Sequence, residues 1–162
     1  PNMITRIKNG RVITPDGIKD ASVYIEDGKT YIVYSRDWPD NYIEEKEEFE
    51  KTKPFAGMKI SMSIHLEAKT AYLAKILRAG GAEVWVTGCN PLSTQDDVAA
   101  ALAAEGFEVN AIYGVSMEEY VEHLKKTLSC CPDLIIDDGG DLISLLHVEC
   151  REYGKNLIGG CE

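Results

Sequence analysis

Several residues whose side chains suit proton transfer or nucleophilic attack follow short apolar runs. His65 and Glu67 come after residues 58–64, Cys89 after 83–87, Asp137 and Asp138 after 134–136, and Glu162 after 156–158. A histidine changes charge near neutral pH and can carry a proton to or from a leaving group. A carboxylate can accept or steer that proton, and a cysteine attacks only as its thiolate. Each position also has a plainer reading. His65 alone fits a hydrogen-bonded turn residue, and Cys89, with no basic neighbour in sequence, fits a small buried residue better than a nucleophile. Asp137-Asp138-Gly139-Gly140 fits a strand-to-helix turn with Asp141 as the cap, while Ser93 and Thr94 fit a helix start. His123 and His147 read as structural.

The elements that must position these residues alternate from residue 58 onward. Runs of strand length stand at 58–64, 83–87, 108–113, 134–136 and 156–158. Between them lie helical periodicities, the first with Ala68, Tyr72, Leu73, Ile76 and Leu77 on one face and Gly80-Gly81 at its end. Ser93-Thr94-Gln95-Asp96 and Ser116-Met117-Glu118-Glu119 both have the spacing of a capping box. Repeated strand–helix units call for a parallel sheet covered on both faces by right-handed crossovers. The expected fold class is α/β, a flavodoxin-like doubly wound parallel sheet of about five strands, with 2-1-3-4-5 as the preferred order. Ligands of such sheets bind beyond the carboxyl ends of the strands, where the strand order reverses. The chemically able residues stand at those ends.

The start of the chain has a different grammar. The pairs Asn9-Gly10, Asp16-Gly17 and Asp27-Gly28 separate stretches rich in β-branched and aromatic residues, as in a small antiparallel β-meander. An acidic stretch follows and reads as a short exposed helix that Pro54 ends. Three segments are therefore expected: a meander over 1–36, an acidic linker helix over 37–56, and the α/β domain over 57–162.

Composition narrows the partners. A net charge of −10 repels phosphate backbones, which argues against nucleic acid. No apolar run is long enough to span a membrane and no signal-peptide layout opens the chain, so it is expected to be soluble and cytoplasmic. The five cysteines are odd in number and form no C-x-x-C, which disfavours a zinc cluster or a disulfide framework; no metal site is expected. No G-x-G-x-x-G occurs, so the chain is expected to bind no dinucleotide cofactor of its own.

Two resemblances extend this reading. Residues 4–28, with Ile4-Thr5-Arg6-Ile7-Lys8-Asn9-Gly10-Arg11-Val12-Ile13-Thr14-Pro15-Asp16-Gly17 at their head, resemble the N-terminal strands of amidohydrolases of the hydantoinase and dihydroorotase type. The H-x-H metal motif that follows in those enzymes does not occur here. The segments Ser63-Ile64-His65-Leu66-Glu67-Ala68-Lys69-Thr70, Asn90-Pro91-Leu92-Ser93-Thr94-Gln95-Asp96-Asp97 and Asp137-Asp138-Gly139-Gly140-Asp141-Leu142 resemble S-adenosylhomocysteine hydrolase, over about residues 50–162.

The second resemblance implies a substrate domain that works with a separate NAD-binding domain. The implied reaction is reversible cleavage of S-adenosylhomocysteine to adenosine and homocysteine, by transient oxidation of the ribose. It implies His65 as a proton carrier near the 5′ leaving group, Asp138 as an aspartate near the ribose, and Glu67, Lys69, Ser93, Thr94 and Glu162 as substrate contacts. Many family members have threonine and glutamate where this chain has Glu67 and Lys69, so a hypoxanthine base, as in S-inosylhomocysteine, is also open. The expectation is a truncated or chimeric substrate domain, joined near residues 37–53 and inactive alone. Its possible ligand is a nucleoside or S-adenosylhomocysteine, and it can self-associate through the face left by the partner domain. The competing readings are a nucleoside-binding module and a folded chimera, neither with catalytic activity.

Overall fold

The computed structural model describes residues 5–14, 17–26, 29–34 and 42–162, with side chains described from residue 46 onward. The chain divides into two compact units, Pro1–Glu47 and Glu48–Glu162.

In the first unit, β1 (Thr5–Thr14), β2 (Gly17–Glu26) and β3 (Lys29–Tyr34) form an antiparallel sheet in that order. Thr14 pairs with Gly17 and Glu26 with Lys29, so both connections are two residues long. The connecting residues themselves, 15–16 and 27–28, lie outside the described set. The pair Asn9-Gly10, expected as a turn, instead lies inside β1, where the register shifts between Ile7 and Gly10. Strand-forming residues on both sides carry the ladder past it, and the pair is accommodated as a bulge. The acidic stretch forms α1 (Tyr42–Thr52), which ends two residues before Pro54. Within the second unit Phe49 meets Phe55 edge-on, their ring centroids 5.6 Å apart.

The second unit runs β4 (Lys59–Ser63), α2 (Ala68–Ala79), β5 (Glu83–Thr87), α3 (Asp96–Ala104), β6 (Glu108–Val109), α4 (Met117–Leu128), β7 (Leu134–Asp137), α5 (Asp141–Val148), a 3₁₀ turn at Arg151–Asn156, and β8 (Gly159–Cys161). Its strands are all parallel, in the order β6-β5-β4-β7-β8. The five-stranded parallel α/β sheet is as expected, but the preferred order is not. Counted along the chain it is 3-2-1-4-5 rather than 2-1-3-4-5.

Two separate cores explain the difference. Ala74 and Leu77 of α2 share one core with Ala99 and Leu102 of α3, packed on Ile60, Met62, Val84 and Val86. Leu124 and Leu128 of α4 share the other with Leu142 and Leu146 of α5 and Ile135. Right-handed crossovers on one face step across the sheet in one direction, and those on the other face step back. Two helices on each face therefore send β5 and β6 one way from β4, and β7 and β8 the other. Order 2-1-3-4-5 would have required α3 to join α4 and α5.

Several local expectations shift for tertiary reasons. The edge strand β6 stops at Val109 instead of running to 113, because Tyr113 N–H donates to Asp96 Oδ1 (2.8 Å) and Gly114 N–H to the Pro91 carbonyl (2.8 Å). Asp96 is thus spent on Tyr113, and α3 starts after Gln95 without any capping box. Asp141 is not a cap either: Gly140, left-handed at φ 77, holds that position, and the Asp141 carboxylate accepts from the Tyr120 hydroxyl at 2.7 Å. The last strand falls at 159–161 instead of 156–158, since the residues before it coil into the 3₁₀ turn. The α4 capping box is present as expected, with Glu119 N–H donating to Ser116 Oγ (3.2 Å) and Ser116 N–H to Glu119 Oε2 (3.0 Å). Among the described residues no helix is long and apolar enough to cross a membrane.

Candidate functional site

Register decides which side chains meet. Ser63 pairs with Thr87 on one side and with Asp137 on the other, so the last rungs of β4, β5 and β7 are level. His65 and Cys89 each lie two residues past their rung, and Asp138 lies one past its own. They emerge together at the reversal of strand order, between β4 and β7, where a doubly wound sheet opens a crevice.

The backbone there is firmly tied. Asp138 N–H donates to the Ser63 carbonyl (2.8 Å), and Ser63 Oγ donates to the Gly88 carbonyl (3.2 Å). Leu66 is fully buried; its N–H donates to Ser93 O (2.7 Å) and its carbonyl accepts from Gln95 N–H (2.9 Å). The His65 carbonyl accepts from Thr70 Oγ1 (2.5 Å) and from Glu67 N–H (3.0 Å). A buried leucine and a doubly bonded carbonyl therefore fix the turn, while the imidazole stays outside.

Around the crevice, His65 Nε2 lies 4.0 Å from Asp138 Oδ2, the side chains being 61% and 54% exposed. Cys89 Sγ lies 3.5 Å from the same carboxylate oxygen and donates to it. Burial pushes the Cys89 thiol pKa up, and Asp138 pushes it further in that direction against an opposing hydrogen bond with Ser93. Cys89 is thus a protonated donor at neutral pH and a poor nucleophile.

The adjacent Asp137 behaves differently from Asp138. It is 1% exposed; its Oδ2 accepts from Ile143 N–H at 2.9 Å in the first turn of α5. Its Oδ1 is buried with no hydrogen-bond partner among the described residues. Burial raises the Asp137 pKa, with the Asp141 and Glu162 carboxylates adding to the shift. One member of the Asp-Asp pair steadies the helix start and the other faces the crevice.

The remaining expected site residues take varied positions. Glu67 immediately precedes α2 and is half-buried, and Lys69 is exposed in its first turn. Ser93 and Thr94 are 8% and 5% exposed and lie under Gly88. Ser93 Oγ accepts from Asn90 N–H (3.0 Å) and donates to the Asn90 carbonyl (2.9 Å). Glu162 is exposed after β8, one strand farther from β4 than Asp138. His147 lies near the end of α5, with Nδ1 on the Ile143 carbonyl at 2.8 Å. Sequence reasoning set Cys89 aside. Its only signal, an offset from Thr87 equal to that of His65 from Ser63, becomes visible once the two strands are known to pair in that register.

A family model for S-adenosyl-L-homocysteine hydrolase matches residues 18–159. Among similar proteins, an S-inosyl-L-homocysteine hydrolase of Methanocaldococcus jannaschii is 57% identical over 117 residues, covering 72% of this chain and 28% of that protein. An adenosylhomocysteinase of Pyrococcus abyssi is 52% identical over 117 residues, covering 72% of this chain and 28% of that protein. An S-inosyl-L-homocysteine hydrolase of Methanopyrus kandleri is 46% identical over 135 residues, covering 83% of this chain and 32% of that protein. The chain therefore spans about a third or less of the length of these relatives.

Proposed function

We propose, because this chain belongs to the S-adenosyl-L-homocysteine hydrolase family, that its crevice at the ends of β4 and β7 receives the thioether side of an S-nucleosyl-L-homocysteine. The observation that carries this reading is the His65–Asp138 pair, an exposed imidazole 4.0 Å from a carboxylate at the reversal of strand order. In this role His65 carries the proton that the departing sulfur needs. Asp138 orients the imidazole and the ribose, and Cys89 holds the carboxylate from the far side.

S-inosyl-L-homocysteine is the favoured substrate. Glu67 can accept from the N1–H of hypoxanthine while Lys69 donates to its O6; adenine reverses donor and acceptor at both positions. Two of the similar proteins carry the S-inosyl name, which supports the same choice. The 162 residues contain no G-x-G-x-x-G loop, so in this reading the hydride acceptor, NAD, is held elsewhere and this chain alone binds without turnover.

Calorimetric titration of the chain with S-inosyl- and S-adenosyl-L-homocysteine tests the proposal, with a thiol assay run alongside in the presence of NAD. Binding that favours the inosyl compound, with no release of homocysteine, is expected. Absence of heat with either compound up to millimolar concentration would overturn the assignment of the crevice. Thiol release by the chain alone would overturn its dependence on a further domain.

A further inference from the structure

We propose that His65, Cys89 and Asp138 together form a site for a thiophilic divalent cation of the zinc class, with one coordination position left open. An imidazole nitrogen, a thiolate sulfur and a carboxylate oxygen are the donor types that zinc takes, and three protein donors with a free fourth position make an accessible site. Their donor atoms all lie within 4.8 Å of one another. A tetrahedral ion about 2.0–2.3 Å from each donor needs donor–donor separations of about 3.3–3.8 Å. The Cys89–Asp138 separation of 3.5 Å already meets that, and His65–Asp138 at 4.0 Å is slightly long. The adjustment falls mainly on the His65 side chain, which is 61% exposed and can turn without disturbing a core.

Charge and protons balance. A neutral imidazole with a thiolate and a carboxylate supplies two negative charges to a divalent ion. The ion takes the place of the proton that Cys89 shares with Asp138 Oδ2, releasing that proton to solvent with no change of oxidation state. Because the donors stand at the ends of three adjacent strands, the sheet sets their spacing. The sequence held no sign of this: Cys89 and Asp138 are 49 positions apart, far outside any paired-ligand spacing. The site requires only these three donors and does not depend on the hydrolase reading. When filled, it occupies the His65 lone pair and the Asp138 carboxylate, so neither group is then available for the proton-carrying and orienting roles proposed above.

Co²⁺ is the probe, titrated anaerobically into the reduced chain. The expected result is about one ion per chain, with visible bands of a four-coordinate ion and a near-ultraviolet thiolate-to-metal band, both lost on adding Zn²⁺. Cys89→Ser should remove the thiolate band. His65→Asn and Asp138→Asn should each weaken binding about ten-fold or more. Cys131→Ser and Cys161→Ser should leave the spectrum unchanged. A missing thiolate band, the same band in Cys89→Ser, or its loss in Cys161→Ser would each overturn the site. Far-ultraviolet dichroism checks folding. If Cys89→Ser does not fold, His65→Asn, altered at an exposed side chain, decides instead: undiminished Co²⁺ affinity in that variant would overturn the site. Titration of the metal-free chain with S-inosyl-L-homocysteine is read separately, so either proposal can fail alone.

Discussion

His65 Nε2 and Asp138 Oδ2 lie 4.0 Å apart because β4 and β7 are neighbours in the sheet. In the order 2-1-3-4-5 the third strand would stand between them. If the pair forms the leaving-group side of the crevice, Asp138→Asn removes the charge that orients the imidazole while nearly keeping its volume. An ion pair between half-exposed groups is worth about 0.2–1 kcal/mol, so the expected loss is up to about five-fold in affinity. Calorimetry with S-inosyl-L-homocysteine reads that loss, and an unchanged affinity would remove Asp138 from the site.

Gly88 leaves no room for a side chain. A Cβ there would lie 2.7 Å from Thr94 Oγ1 and 2.8 Å from Ser93 Oγ, both buried groups. Gly88→Ala is expected to destabilise the chain by about 1–3 kcal/mol, measured by urea denaturation. Wild-type stability would mean that the loop at 88–94 yields easily.

Asp137 makes stability depend on pH with an unusual sign. Burial raises its folded-state pKa above the ordinary carboxylate value of about 4. Between the ordinary and the raised value the folded state binds more protons than the unfolded state, so this group's contribution falls as pH rises. Asp137→Asn keeps an acceptor for Ile143 N–H and removes the charge. The parent should lose stability relative to this variant as pH rises from about 4, in denaturation curves taken across that window. Parallel pH profiles for the two chains would contradict the assignment.

The α4 capping box closes through both Ser116 and Glu119. Ser116→Ala should cost about 1 kcal/mol, and Ser116→Thr much less, since threonine retains the acceptor. Thermal denaturation of the three chains checks the ranking. An equal loss in both variants would point to a cause other than the cap.

Elements governed by a few neighbouring residues were legible in the sequence: β5 at Glu83–Thr87, the Ser116 capping box, and the alternation of strand and helix that requires a parallel sheet. Apolar periodicity and capping act over one or two turns of chain, so they survive without knowledge of the fold. Signals that could be satisfied from elsewhere were redirected. Asp96 had the spacing of a cap and serves Tyr113; Asp141 looked like a cap and receives the Tyr120 hydroxyl; Asn9-Gly10 looked like a turn and lies within a strand. The resemblance singled out His65 and Asp138 one by one, but their meeting, and the presence of Cys89 beside them, required the strand order. That order follows from which helices share a core. It is a sum of burial between residues distant in sequence, to which no local run of side chains gives access.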